Sequence, residues 1–321
     1  MITKPPSLIT DPLIILAPGR CFSSVVCAML GQHPQMYGLL EAQLFTRDNL
    51  SEWWEDFGSN IHSHGLLRCV GEIIFGEQSP YTIKQAKRWL WNRRDSSTAE
   101  VFSELAEQVY PLILIDKTPM LTYRPAHMER VRALFPDAKF LHLVRHPEGS
   151  GRSLLEFFEK RAPLRHPNQT AALLRNPESI FFGLLDESTE PETLDPQASW
   201  YIRQSDVLGF TSALPACQHM LVRGEELLSS PMASLRKIVE WMGLRSDPEA
   251  IQLMTHPEAS PYACVGPWNA RFGGDPAFLQ DPRLRPLRPE DQSLEHPVPW
   301  REDGSGFRVE VKRLARELGY E

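Results

Sequence analysis

The stretch Leu13–His33, LIILAPGRCFSSVVCAMLGQH, decides how the rest of the chain is read. Leu13-Ile14-Ile15-Leu16 is a short apolar run, the pattern of a buried strand. Ala17-Pro18-Gly19 ends it. Ser23 and Ser24 read as helix N-caps, and Val26, Met29 and Leu30 share one helical face. Gly31 and Pro34 stop that helix. The result is strand, tight loop and helix, with Arg20 and two hydroxyls at the helix N-terminus. Unpaired N–H groups and the positive end of the helix dipole make such a terminus a site for an anion, here a phosphate or sulfate group.

Further along, Met36–Leu39, Leu112–Ile115, Phe140–Val144 and His219–Val222 read as strands. Helical stretches separate them: 43–110, the segment carrying Met128, Val131 and Leu134, residues 148–160, a helix resuming over Trp200–Leu208, and Pro231–Met242 with Gly243 as its stop. Strands alternating with helices predict an α/β fold with a central parallel sheet flanked by helices. Ligands of such sheets sit at the carboxyl ends of the strands. Arg20, Glu41, Lys117 and Arg145 each follow a predicted strand, so all four should converge on one crevice.

Composition narrows the function classes. A net charge of −7 argues against general nucleic-acid binding, which needs a basic face. Five cysteines (Cys21, Cys27, Cys69, Cys217, Cys264), odd in number and without C-x-x-C spacing, argue against a disulfide framework or a zinc site. They fit a reducing, cytoplasmic setting. No apolar run approaches the roughly 20 residues of a membrane span. The N-terminal lysine and short apolar run do not form a signal peptide. Prolines concentrate after Pro191, which suggests ordered loops, and no composition break divides the chain, so a single domain over 1–321 is expected.

The first loop is not a Walker P-loop, because no Gly-Lys pair precedes the serines. That disfavours a kinase of P-loop ancestry. A second stretch, Lys139–Ser153 (KFLHLVRHPEGSGRS), places Arg145 and Ser153 eight residues apart across a strand–turn–helix. Arg145 can fork onto a phosphate and Ser153 can donate from the helix. Taken separately, each stretch is also compatible with an ordinary turn carrying a solvated or ion-paired arginine.

Together the two stretches resemble the sulfotransferases that use 3′-phosphoadenosine 5′-phosphosulfate (PAPS). In that family a P-R-S-G-T-[ST] loop holds the 5′-phosphosulfate, matched here by Arg20-Cys21-Phe22-Ser23-Ser24 at the basic residue and the hydroxyls. A V-R-[DN]-P element with a serine eight residues on holds the 3′-phosphate, matched by Val144-Arg145-His146-Pro147 and Ser153. Asp116-Lys117-Thr118-Pro119, Trp200 and Val222–Leu228 with Pro231 also look like family segments, and the resemblance covers about residues 12–245. It implies a P-loop-like sulfotransferase fold, PAPS as donor with its desulfated form PAP as product, and no metal. Gly273 and Gly274, beyond the covered part, are expected to approach the nucleotide.

Three residues depart from the pattern. Phe22 stands where the family has glycine, so the loop is reshaped or donor binding weakened. Cys21 replaces a serine. Gly224 stands where many members carry an aromatic residue beside adenine, so that contact has to come from elsewhere. Cytosolic members take their base from K-T-H, but Lys117-Thr118 is followed by Pro119, which cannot act. The tyrosylprotein branch uses a glutamate after the second strand, and Glu41 occupies that place. The resemblance thus implies Glu41 as general base, with Lys117 and Arg20 stabilising charge; His142 and His146 are the alternatives.

The expected reaction is sulfuryl transfer to a hydroxylated small-molecule acceptor. A non-catalytic nucleotide- or sulfate-binding protein of the same fold is the competing reading, favoured by Phe22. Residues 43–110 and 161–199, with the Pro/Gly-rich segment 255–305, should shape the acceptor pocket. Phe181, Phe182, Trp200, Trp268 and Phe272 make it aromatic, which suits an apolar or carrier-bound alcohol; aromatic core packing accounts for them equally well.

Overall fold

Among the described residues seven strands form: β1 (Leu13–Leu16), β2 (Met36–Gly38), β3 (Ile113–Asp116), β4 (Lys139–Val144), β5 (Leu185–Asp186), β6 (Thr193–Leu194) and β7 (His219–Arg223). The structure is a computed structural model that describes residues 11–164, 166–189, 192–285, 287 and 292–321. The reading of the first ten residues and Pro191 lie outside them. Five strands make one parallel sheet in the order β2-β3-β1-β4-β7. β5 and β6 form a separate antiparallel hairpin.

β1 is the middle strand, and its Leu13 lies opposite both Ile115 and Lys139. Successive side chains point to opposite faces. Ile14 and Leu16 accordingly enter a core with Phe45, Trp53, Phe102 and Phe140, whereas Leu13 and Ile15 enter another with Met29, Leu141, Leu235 and Ile238. Both faces are covered, which is why β1 is apolar throughout rather than alternating. The connection from β1 leads to one side of the sheet and that from β3 crosses back over β1 to the other. The crevice beyond the end of β1 is therefore the topological switch point, the preferred ligand site of open α/β sheets.

The strands and long helices fall where the sequence places them, with three differences. The N-cap of the first helix, Ser23–Leu30, is Phe22 rather than a serine; Phe22 adopts a left-handed conformation (φ 62°) and no side chain caps the helix. The serine hydroxyl at position 24 is instead engaged by other segments. Residues 161–199 contain the β5–β6 hairpin as well as helical pieces, and the helix expected from Trp200 begins at Gln197. Short helices at Gly224–Ser229, Pro248–Leu253 and Pro276–Gln280 went unread. Each is a turn or two long, too short for periodicity to reveal.

Two polar clusters hold the long C-terminal excursion. Arg68, fully buried on the helix His64–Phe75, donates to the carbonyls of Phe272 (3.1 Å) and Cys264 (3.0 Å) and to Gln78 Oε1 (2.6 Å). Asp186 and Asp195, both buried, receive Arg301 and Arg308, which ties the hairpin to the chain before the last helix, Val309–Glu317. Among the described residues no helix is long and apolar enough to cross a membrane.

Candidate active site

The loop after β1 turns sharply because both Arg20 (φ 73°) and Phe22 (φ 62°) are left-handed. Neither is glycine, and L-residues adopt that region at a cost of about 1–2 kcal/mol each. The helix Ser23–Leu30 then starts with its N–H groups open to the crevice. Arg20 is held from two sides: its Nε donates to Ser153 Oγ at 3.1 Å, and an Nη pairs with Asp275 at 3.0 Å. Ser24 Oγ accepts from Lys117 Nζ (3.1 Å) and from the Asp275 backbone N–H (3.1 Å).

Lys117 leaves the end of β3, and its side chain is only 2 % exposed. Its ammonium meets Glu41 Oε1 at 2.6 Å. Glu41 is placed by its backbone, not by side-chain packing. Its N–H donates to the Gly273 carbonyl at 2.8 Å. A Cβ on Gly65 would stand 2.0 Å from the Glu41 carbonyl oxygen, and one on Gly273 (φ 118°) 2.7 Å from Gly65 Cα. Only glycines permit this three-layer approach. Gly274 lies against Ser24, whereas Gly273 lies against Gly65 and Leu40.

Arg145, at the end of β4, donates to the Arg20 carbonyl at 3.0 Å, and its guanidinium stands 4.2 Å from the Phe22 ring centre. The Arg145 carbonyl accepts from Trp200 Nε1 at 3.0 Å. Trp200 therefore fixes this turn and is buried away from the crevice. Cys21 is also buried; its thiol faces Ser150, and burial pushes its pKa up to about 12, so it stays neutral.

These residues border one cavity of about 680 Å³. Arg20–Ser24, Arg145, Ser153, Gly273 and Gly274 line one end, and Glu41 stands between the two ends with Lys117 beneath the floor. Phe57, His62, Tyr123, Arg161 and Phe181 line the other, and the Phe157 ring lies between, 5.0 Å from the Arg20 guanidinium and 4.2 Å from that of Arg161. The helical segments 43–110 and 161–199 thus do contribute walls. Of the five aromatic residues expected there, only Phe181 and Phe272 line the cavity. Trp268 is 74 % exposed on the outer surface, and Phe182 packs under Arg203.

His142 and His146 do not border the cavity. His142 donates to Gln204 inside the protein, and His146 packs edge-on against Tyr320 and Phe307; burial lowers both to about 4. The histidine that does face the cavity is His62. Burial lowers its pKa, opposed by the nearby Glu41 charge and reinforced by Arg161. Nothing in the sequence singled out His62, Phe157 or Arg161, because they sit on a short turn and helix ends without a motif. Among the described residues no His, Cys, Asp and Glu cluster is grouped to hold a metal.

A sequence model described as the sulfotransferase family matches residues 12–248. Among solved structures, a sulfotransferase domain from the curacin biosynthetic pathway is similar over 98 % of this chain and 99 % of its own, at 20 % identity and a TM-score of 0.69. A sulfotransferase domain from the Synechococcus PCC 7002 olefin synthase is similar over 100 % and 99 %, at 20 % identity and a TM-score of 0.68. At such identities the likeness is one of fold. A search of curated proteins found no match.

Proposed function

The chain belongs to the sulfotransferase family, and from that premise we propose that it transfers a sulfuryl group from PAPS to a hydroxyl of an apolar or carrier-bound small molecule. The observation that carries this reading is the meeting of Glu41 and Lys117 at 2.6 Å, beside Ser24 and the helix N-terminus, with Glu41 in the wall of the cavity. A loop built only to hold an anion needs no carboxylate there.

The residues fit the donor. The first loop supplies helix N–H groups, two serines and Arg20 for a phosphosulfate; Arg145 and Ser153 stand beside it for a second phosphate. In the reaction, Glu41 accepts the acceptor's hydroxyl proton as that oxygen bonds to sulfur. The bond from sulfur to the phosphate oxygen breaks, and PAP leaves with the electron pair. Lys117, Arg20 and the helix N–H groups face the charge that develops on the sulfuryl and departing oxygens. The position of His142 and His146 outside the cavity supports Glu41 as base.

Phe57, Tyr123 and Phe181 give the acceptor end its apolar walls. The biosynthetic origin of the two similar domains supports a natural-product acceptor. The five free cysteines support a cytoplasmic setting.

Thermal midpoints with PAP and with ATP test the donor. A ligand of the native state present at a hundred times its dissociation constant adds about 2.7 kcal/mol of stability. A rise with PAP and none with ATP is expected, followed by label transfer from sulfur-labelled PAPS to members of a hydroxylated acceptor panel. A rise with ATP alone would favour a kinase. PAP binding without turnover on any acceptor would favour a binding protein.

A further inference from the structure

The donor end of the cavity has an apolar corner that the phosphate-binding groups do not account for. Phe22, Val25, Leu228 and Leu287 line it. Phe22 is partly exposed there, with the Arg145 guanidinium 4.2 Å from its ring centre. The corner is continuous with Arg20, Ser23 and Ser24, so a ligand filling it would carry an anionic group at one end and a flat apolar group at the other. A partly exposed aromatic ring backed by a guanidinium is a stacking surface for a heteroaromatic base.

The position of this ring is tied to Gly224, the first residue after β7. A Cβ there would stand 2.5 Å from Phe22 Cδ2 and 3.2 Å from Cε2. In this geometry a ring at position 22 and a side chain at position 224 exclude one another. We propose that Phe22 forms the surface on which the nucleotide base lies, occupying the space that a side chain at position 224 would otherwise fill. The proposal rests on the donor reading above and assigns to Phe22, an oddity of the phosphate loop, the task of choosing a base-bearing ligand over a bare anion.

The test compares equilibrium binding of PAP and of inorganic pyrophosphate, which has no base, to the wild-type protein and three variants. Phe22→Leu keeps an apolar side chain and removes the ring. It should lose about five- to a hundredfold in PAP affinity, the range of one aromatic–base stack, with pyrophosphate affinity within about twofold of wild type. Phe22→Tyr should keep PAP binding. Phe22→Gly combined with Gly224→Phe, which moves the ring to the other side of the contact, should bind PAP more tightly than Phe22→Leu. Equal losses for PAP and pyrophosphate in Phe22→Leu would overturn the proposal, since Phe22 would then act through the loop or Arg145. So would unchanged PAP binding in that variant. A wild-type protein that binds pyrophosphate but not PAP would sink the donor reading itself, a result distinct from either.

Discussion

The two ends of the cavity are built by different means. At the donor end, Arg20, Lys117 and Arg145 leave the ends of β1, β3 and β4, neighbours in one hydrogen-bonded sheet with buried faces on both sides. Their relative positions follow from the register of the strands. At the end proposed for the acceptor, Phe57, His62, Arg161 and Phe181 come from connections, and the segments are joined by ion pairs such as Arg47–Glu178 and Arg124–Glu178, both 3.0 Å. The first is part-buried and the second opens to solvent at Arg124, and ion pairs in contact with solvent contribute little stability. The lesson is that one fold can supply rigid chemistry and adaptable recognition a few residues apart, because the sheet sets the first and the crossovers set the second.

Four experiments put this contrast to the test. The largest effect is expected from Glu41→Gln, which keeps the side chain's shape and removes the proposed base. Turnover should fall by roughly 10²–10⁴ while PAP binding measured by calorimetry stays near wild type. A variant with full turnover would remove Glu41 from the chemistry.

Next is Asp116, the last residue of β3 and part of the rigid floor. Its carboxyl is fully buried; Oδ1 accepts from Thr118 at 3.2 Å, and Oδ2 has no partner among the described residues. Burial pushes its pKa from 3.8 to about 7. Between those values the folded protein retains a proton that the unfolded chain has released, so this group makes stability fall as pH rises from about 4 to about 7. The fall is at most about 4 kcal/mol. His142 and His146, lowered to about 4, act in the opposite sense below pH 6.5. Comparing urea unfolding of wild type and Asp116→Asn cancels their contribution. The stability difference should shift towards the variant across that window and level off above it.

Arg145→Ala should cost about tenfold to a hundredfold in PAP affinity, the worth of a charge-assisted hydrogen bond of about 1.5–3 kcal/mol. PAPS should be affected alike, because both carry the 3′-phosphate. Calorimetry with unchanged PAP binding would detach the β4 turn from the donor end. The smallest effect belongs to Glu178→Gln, which removes the carboxylate shared by Arg47 and Arg124. Unfolding should move by less than about 1 kcal/mol, and PAP affinity should not change. KM for the acceptor should rise. A large stability loss would show that the acceptor end is as firmly built as the donor end.

The same contrast explains what could be read from the sequence. Leu13–Leu16 and Phe140–Val144 were legible because a buried parallel strand is an unbroken apolar run, and the residues after them were legible because strand ends in such a sheet converge. Glu41 meeting Lys117 across 76 positions follows from that alone. The Gly65–Glu41–Gly273 stack was not legible, since close backbone approach leaves no periodic trace. Nor was Arg68, whose role depends on carbonyls about 200 residues away. His62 and Arg161 went unread because a short turn has no pattern. For Trp200 the sequence left pocket wall and core equally open; its ring is core and its N–H fixes the β4 turn.

The contact between Phe22 and Gly224 also constrains the order in which this site could change. Enlarging position 224 first drives a side chain into the Phe22 ring at 2.5 Å. Reducing position 22 first opens room for it. A lineage moving from one arrangement to the other therefore passes through the state with two small residues and not through the state with two large ones, and the same substitution at 224 is damaging or harmless according to what already stands at 22. Single-site tolerance measured at either position describes this background alone.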